Sequence, residues 1–263
     1  MKLKNWKRGL LCILSLSILM FNIPVSFAQA ETLSNQYDEY LQKTGMPQDI
    51  INSLDEELKE TIYLSSNNAD KEFVSVETKE VSLKGNEGGI EPSYIPPSDM
   101  SITVVAFKES SKYQGYDQYS IYPTFEWHKE TQIGNDKFGF SLPSGWEVVP
   151  GKRNLSLYYD NPYLAGIKWE LGGQISNPCT ATVTGYGFDG FDTYAKRSIQ
   201  CKGNAYFYAY KKDSSASHSL KLGYYHDTSS NMSGSFGISI GPFSVSLSGS
   251  WDNVEAWEDF LSF

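Results

Sequence analysis

The chain has 263 residues, and its 31 Asp and Glu outnumber its 22 Lys and Arg, which gives a formal net charge of −9 at pH 7. Loss of residues 1–30 would leave 18 basic against 31 acidic residues, a net charge of −13. Nucleic acid and anionic bilayers both need clusters of Lys and Arg to neutralise their charge, so we expect neither as a partner.

Residues 1–30 have the pattern of a secretory signal peptide. Its basic start is followed by an apolar run over 9–23, and Ala28 and Ala30 place small residues at the −3 and −1 positions of a cleavage site. An uncleaved anchor is the alternative, because a membrane span needs about 20 apolar residues, but Pro24 and the two alanines favour cleavage. We therefore predict cleavage after Ala30, a secreted extracellular protein and no stable membrane anchor.

Residues 31–68 are predicted to form a helical N-terminal segment, since apolar residues recur there at helical spacing. The break at 44–47 contains a Gly suited to ending one helix and a Pro suited to starting the next. The run TGMPQDIINSLDEELKETIY at 44–63 resembles small, uncharacterised secreted proteins of Gram-positive bacteria. That resemblance implies a bacterial source and transfers no activity and no site residue.

The rest of the chain predicts a mainly β protein. Residues 69–99 contain one strand, over 73–83, and a Gly- and Pro-rich linker. From residue 100 to 263, apolar residues alternate with polar ones in short runs about every ten residues, with turn signals between the runs. This pattern is typical of an antiparallel β-sandwich, with a barrel as the alternative.

Two cysteines remain after the predicted cleavage, Cys179 and Cys201. An even number in an oxidising destination predicts one disulfide. The loop it would close corresponds to about 3 kcal/mol of stabilisation in the chain-entropy model. A redox or metal site would need a C-x-x-C spacing or nearby histidines, and the sequence has neither, so we expect no metal and no cofactor.

Aromatic residues are abundant, with 18 Tyr, 14 Phe and 6 Trp in the full chain. Exposed rings in secreted proteins can stack on sugars while their polar edges form hydrogen bonds. Such rings are candidates in the runs 113–122, 186–194 and 206–210, and the predicted binding residues are Tyr186, Phe188, Phe191 and Tyr194. The sequence therefore favours an extracellular binding module for a glycan, a wall polymer or a protein.

A membrane-acting, toxin-like protein is the first alternative. The predicted hairpin over 236–247 has one apolar face and one face of Ser and Gly, as the wall of a membrane β-barrel does. The alternation lasts only five or six residues per strand, whereas a spanning strand needs about 9 to 11. An ordinary sandwich hairpin explains the same pattern.

A secreted hydrolase is the second alternative, although the sequence contains no nucleophile-elbow, zinc-protease or phosphate-loop motif. Glu126, Glu147 and Glu170 each lie near a Trp, and folding could bring two of them together as a glycosidase pair. His218 and His226 fall on one face of one predicted strand, too far apart to share a metal. We assign no catalytic residue.

Overall fold

The computed structural model describes residues 23–67, 69–80, 93–94, 99–128, 134–160, 169–191, 200–227, 236–249 and 254–263. The chain divides into two compact units, Met1–Tyr63 and Leu64–Phe263. The first unit is helical and the second is built from β-strands.

The helical unit contains α1 (Ile23–Lys43), α2 (Gln48–Ser53) and most of α3 (Glu56–Ser66). Gly45, at a φ of +84°, follows α1, and Pro47 occupies the N-cap of α2, so the predicted helix break is confirmed. The predicted apolar spacing also holds, because Leu41, Ile51 and Ile62 are fully buried. Helices therefore precede the strands, as the sequence predicts.

The predicted cleavage-site residues, Ala28 and Ala30, both fall within α1, and residues 1–22 lie outside the described residues. Cleavage after Ala30 therefore stays a prediction. Across the helices that the structure describes, none combines the length and the apolar character that crossing a membrane requires.

The described part of the second unit contains fourteen strands. In chain order they are β1 (Lys71–Glu80), β2 (Ser93–Tyr94), β3 (Met100–Tyr113), β4 (Tyr116–Trp127), β5 (Asn135–Ser141), β6 (Trp146–Asp160), β7 (Trp169–Ile175), β8 (Thr180–Ala181), β9 (Gly185–Phe191), β10 (Cys201–Lys211), β11 (Ser219–Asp227), β12 (Phe236–Gly241), β13 (Ser244–Gly249) and β14 (Val254–Ser262). The first sheet has the order β1-β3-β4-β10-β6-β7, and the second has the order β2-β14-β11-β5-β9-β8. Strands β12 and β13 form a separate hairpin.

The two six-stranded sheets pack face to face around one apolar core. Phe125 of the first sheet and Phe138 of the second have ring centroids 5.2 Å apart, and Phe207 stacks on Phe140 at 4.4 Å. The strand pairings are antiparallel except for that between β2 and β14. Neither sheet closes on itself within the described strands. The predicted antiparallel β-sandwich is confirmed, and the barrel alternative is not.

The sandwich starts earlier than the predicted boundary at residue 100. Strand β1 pairs antiparallel with β3 and forms one edge of the first sheet. Phe73 of β1 packs edge-on against Phe107, with ring centroids 6.0 Å apart, so β1 adds to the buried apolar surface of this sheet. The predicted Gly- and Pro-rich linker lies largely outside the described residues.

Candidate functional site

The sequence predicts a binding surface formed by aromatic residues of the segment that folds as β9. The described ones lie in the core, so that prediction is wrong for them. Tyr186 is 2% exposed, Phe188 is 0% exposed and Phe191 is 5% exposed. Tyr186 and Phe188 are two residues apart and therefore share the inner face of the strand. A β-bulge between Phe188 and Phe191 brings the third ring to the same face. Tyr194 lies outside the described residues.

Solvent-facing aromatic rings lie instead on the outer face of the first sheet. Five tyrosines of this face, three of them accessible and two buried, form what we call the tyrosine row: Tyr113, Tyr116, Tyr206, Tyr208 and Tyr210. Side chains alternate between the two faces of β10: Phe207 points into the core, and its tyrosine neighbours point outward. Tyr116 is 38% exposed, Tyr113 and Tyr206 are half-buried, and Tyr208 and Tyr210 are buried behind them. The row therefore presents three accessible rings on a backing of two packed ones.

A tight turn holds the outermost rings. Gln114 and Gly115 both have positive φ, at 53° and 87°, as a two-residue type I′ hairpin turn requires. Tyr113 and Tyr116 flank that turn as a cross-strand pair. Their ring centroids lie 5.0 and 5.9 Å from that of Tyr210. The three rings therefore form one cluster fixed to the sheet.

Charged groups border this cluster. The Tyr210 hydroxyl donates to Glu147 Oε2, and Lys212 Nζ lies 2.8 Å from Glu147 Oε1. The hydrogen bonds from Lys212 and Tyr210 lower the pKa of Glu147. Burial and the adjacent Glu147 raise the pKa of Tyr210 to about 12, so Tyr210 keeps its proton at neutral pH. The hydroxyl thus stays a donor and its ring stays oriented.

A second feature of this hairpin is a cavity of about 400 Å³ lined by residues of β3, by Asp117 of β4 and by the start of β1. The cavity lies where β3 leaves register with β4 between Lys108 and Lys112. We call it the bulge cavity. Sequence reasoning missed it, because a register shift leaves little signal in the alternation of residues.

Near the bulge cavity, Lys71 makes a buried contact that resembles a Ser-Lys catalytic pair. Its Nζ lies 2.5 Å from Ser66 Oγ and 2.9 Å from the Tyr122 hydroxyl, and 4.2 Å from the centroid of the Phe107 ring. Both Ser66 and Lys71 are buried, so a substrate has no access to the hydroxyl. The contact ties the end of α3 to the start of the first sheet.

The three glutamates considered for glycosidase chemistry are not brought together. Strands β10 and β6 separate Glu126 on β4 from Glu170 on β7, which at about 4.8 Å per strand puts them roughly 14 Å apart. Glu147 is also far from Glu126. On β10, Glu147 pairs with Tyr210 and Glu126 pairs with Lys202, and these two positions are eight residues apart. Catalytic carboxyl pairs lie about 5 to 9.5 Å apart, so these residues do not form one.

The structure pairs His226, one of the two histidines considered as metal ligands, with Asp136, which sequence analysis did not identify. His226 Nδ1 lies 2.8 Å from Asp136 Oδ1, which also accepts a hydrogen bond from the Tyr224 hydroxyl at 2.8 Å. Trp127 Nε1 donates to the same hydroxyl at 3.0 Å. All four side chains are fully buried, so this Asp-His pair stabilises one end of the core instead of meeting a substrate.

His218 immediately precedes β11, at the end opposite His226 and on the same inward side. Its ring packs edge-on against Trp146, with centroids 5.2 Å apart. Burial lowers the pKa of His218, with Lys211 and Lys108 adding to the effect. Eight residues of strand separate the two histidines by about 26 Å, so they do not share a site.

The β12–β13 hairpin packs two of its apolar side chains against the second sheet. Ile240 and Val245 are buried in a cluster on the outer face of the second sheet. Gly223 permits this approach, since a Cβ there would lie 2.9 Å from Val245 Cγ1. Within the described residues 236–249 each strand has six residues, fewer than the 9 to 11 that a membrane-spanning strand needs. This is the geometry of the ordinary sandwich hairpin.

The predicted disulfide is not present: Cys179 and Cys201 are both thiols. Cys201 lies on β10 of the first sheet, buried in the core. Cys179 is exposed beside β8, at the edge of the second sheet, where its Sγ lies 3.2 Å from the Gly187 carbonyl oxygen. The disulfide predicted from the even number of cysteines is therefore wrong, because spacing along the chain does not show which sheet each cysteine belongs to.

No protein-family model and no curated protein matches this chain. Among solved structures, a pore forming protein matches with a TM-score of 0.34 and 7% identity, over 73% of this chain and 95% of that one. A collagen-binding domain from a Staphylococcus aureus adhesin matches with a TM-score of 0.31 and 4% identity, over 55% and 88%. The KRT10-binding region domain of a pneumococcal serine-rich repeat protein matches with a TM-score of 0.27 and 11% identity, over 69% and 99%. The function proposed below rests on this chain's own residues.

Proposed function

We propose that the chain is an exported binding module whose tyrosine row holds an extracellular glycan. The observation that carries the proposal is the accessibility of Tyr113, Tyr116 and Tyr206 on one sheet face. A tyrosine ring offers an apolar face to a sugar ring and a hydroxyl to its polar edge. Export is the companion proposal, and it is supported by the signal-peptide pattern of residues 1–30.

Preorganisation of the row supports the proposal. The accessible rings are held by the tight turn at Gln114 and Gly115 and by the buried rings of Tyr208 and Tyr210. A ligand that meets rings already fixed in place loses less affinity to side-chain ordering. The described residues offer no accessible catalytic pair, so binding explains this surface better than hydrolysis does.

The experiment is retention of the exported protein on insoluble chitin, cellulose and purified cell wall. Tyr116→Ala and Tyr206→Ala should each weaken retention, by about fivefold if each ring contributes about 1 kcal/mol. Phe260→Ala is the matched control, because Phe260 is an exposed ring, 44% accessible, on the second sheet. Retention on none of the polymers, or equal losses for Tyr116→Ala and Phe260→Ala, would overturn the proposal.

A further inference from the structure

The outer face of the first sheet continues past the tyrosine row to the edge strand β7. Strand β6 pairs with β10 on one side and with β7 on the other. Tyr206 of the row pairs with Asn154 of β6, and Ser156, two residues further along β6, pairs with Gln174 of β7. Residues that pair directly, or that lie two apart on one strand, point to the same face of a sheet. Gln174 and Tyr206 therefore share the outer face.

Three accessible side chains at this edge form what we call the β7 strip: Leu171, Gln174 and Ser176. Leu171 pairs with Tyr158, which lies two residues beyond Ser156 on β6, so it also faces outward. It is 53% exposed. The two residues between Leu171 and Gln174 are glycines, so no side chain separates them. The strip thus places one apolar side chain beside two polar ones.

Hydrogen bonds to β6 hold the polar part of the β7 strip in place. Ser176 Oγ donates to Asn154 Oδ1 at 2.9 Å, and Gln174 Nε2 donates to Ser156 Oγ at 3.3 Å. Asn154 Nδ2 donates to the same Ser156 oxygen at 3.1 Å. Asn154 and Ser156 are both buried, which anchors the network in the sheet. A ligand therefore meets an amide that is already oriented, and it loses less affinity to side-chain ordering.

Gln174 keeps hydrogen-bonding capacity for a ligand. A glutamine amide has two N–H donors and a carbonyl oxygen that accepts. Ser156 engages one of the donors, and within the described residues the other donor and Oε1 have no protein partner. The side chain is exposed. Gln174 therefore offers one donor and one acceptor to a group that carries the complementary pair.

An acetamido group carries that complementary pair together with a methyl group. Its N–H can donate to Gln174 Oε1, and its carbonyl oxygen can accept from Gln174 Nε2. Its methyl group needs an apolar neighbour, and Leu171 supplies one on the same face. A sugar hydroxyl, in contrast, donates and accepts at a single oxygen atom and has no methyl group. The β7 strip therefore suits an N-acetylated amino sugar better than an unsubstituted hexose.

The β7 strip lies within reach of a glycan on the tyrosine row. Two strand spacings of about 4.8 Å and an offset of two residues at about 3.4 Å each separate Tyr206 from Gln174. Their Cα atoms are thus about 12 Å apart, and both side chains extend from the same face. Neighbouring sugars of one oligosaccharide can therefore contact both residues.

We propose that the β7 strip binds the acetamido group of an N-acetylated amino sugar in the glycan held by the tyrosine row. This inference rests on the proposed function and names its ligand class: one sugar stacks on Tyr206 while the acetamido group of its neighbour contacts Gln174 and Leu171. The expected preference for the N-acetylated sugar over the unsubstituted one is about tenfold, because one neutral hydrogen bond and one methyl contact are gained.

The test is calorimetric titration with two probes, the β-1,4-linked tetramer of N-acetylglucosamine and the β-1,4-linked tetramer of glucose. Wild type should bind the N-acetylated tetramer about tenfold more tightly. Gln174→Ala should reduce this preference to about twofold and change binding of the glucose tetramer by less than about twofold. Gln42→Ala is the matched control, since it removes an exposed amide from α1 of the helical unit. Tyr206→Ala should weaken binding of both tetramers and keep the preference, because it removes the stacking ring and not the amide.

The outcomes separate the two proposals. Equal binding of both tetramers by wild type overturns the β7 strip proposal and leaves the proposed function intact. A full preference in Gln174→Ala, or an equal loss of preference in Gln42→Ala, also overturns it. Binding of neither tetramer overturns it as well, whereas the proposed function is then decided separately by retention on the polymers and its dependence on Tyr116 and Tyr206.

Discussion

The buried network at one end of the core predicts a large stability loss for Tyr224→Phe. The Tyr224 hydroxyl donates to Asp136 Oδ1 and accepts from Trp127 Nε1. A hydrogen bond to a charged group contributes about 1.5–3 kcal/mol, and a buried donor left without an acceptor costs about 1–3 kcal/mol. The free-energy contributions of hydrogen bonds within one network are not fully additive. We therefore expect the free energy of unfolding to fall by about 3 kcal/mol.

Tyr225→Phe is the control, because the neighbouring residue faces the opposite side of β11. Its hydroxyl donates to Glu258 Oε1 at 2.5 Å, and Glu258 also contacts Lys221 at 3.0 Å. Glu258 is partly exposed, so its loss of one donor should cost about 1 kcal/mol or less. Both variants are compared by urea unfolding followed with far-ultraviolet circular dichroism. A loss for Tyr224→Phe no larger than that for Tyr225→Phe would refute the reasoning.

Two further predictions concern a buried acid and the cysteines. Because the folded-state pKa of Glu109 lies above its usual value of 4.5, wild type should lose stability as pH rises from about 4.5 through that raised pKa. Glu109→Gln should therefore be about 1 kcal/mol more stable than wild type at neutral pH, and no more stable at a pH below both the folded-state and the unfolded-state pKa of Glu109. Urea unfolding at several pH values measures this difference in stability. A difference that is the same at every pH would contradict the prediction. Since Cys179 and Cys201 are thiols, a reductant should leave the urea midpoint unchanged, whereas a disulfide would shift stability by about 3 kcal/mol. Thiol titration of the unfolded, unreduced protein lacking residues 1–30, and with them Cys12, should give two thiols.

The fold could be predicted because alternation is a local property. Strand β10 alternates Tyr with Ala and Phe, and this pattern alone places Tyr206, Tyr208 and Tyr210 on one face. The predicted site was wrong because alternation does not say which face is buried. A usable signal was present all the same. In β9 Gly187 separates Tyr186 from Phe188, so these two rings share one face that can pack, whereas β10 has rings on both faces and must cover or expose the second.

The bulge cavity and the Asp136–His226 pair could not be predicted, for different reasons. The cavity depends on a two-residue register shift, which is set by cross-strand pairing of β3 with β4 and not by any short motif. Asp136 and His226 lie 90 residues apart and meet only because β5 and β11 are neighbours in the second sheet. Contacts of this kind follow from sheet order, and sheet order is a property of the whole chain.

The tight turn at Gln114 and Gly115 has a consequence for how fast a ligand would bind. Because Tyr113 and Tyr116 are clamped as a cross-strand pair, no loop has to close over the ligand. Association should then be limited by encounter and orientation, in the ordinary range of about 10⁵–10⁷ M⁻¹s⁻¹. Differences in affinity among related sugars should accordingly be found in how long each one stays bound.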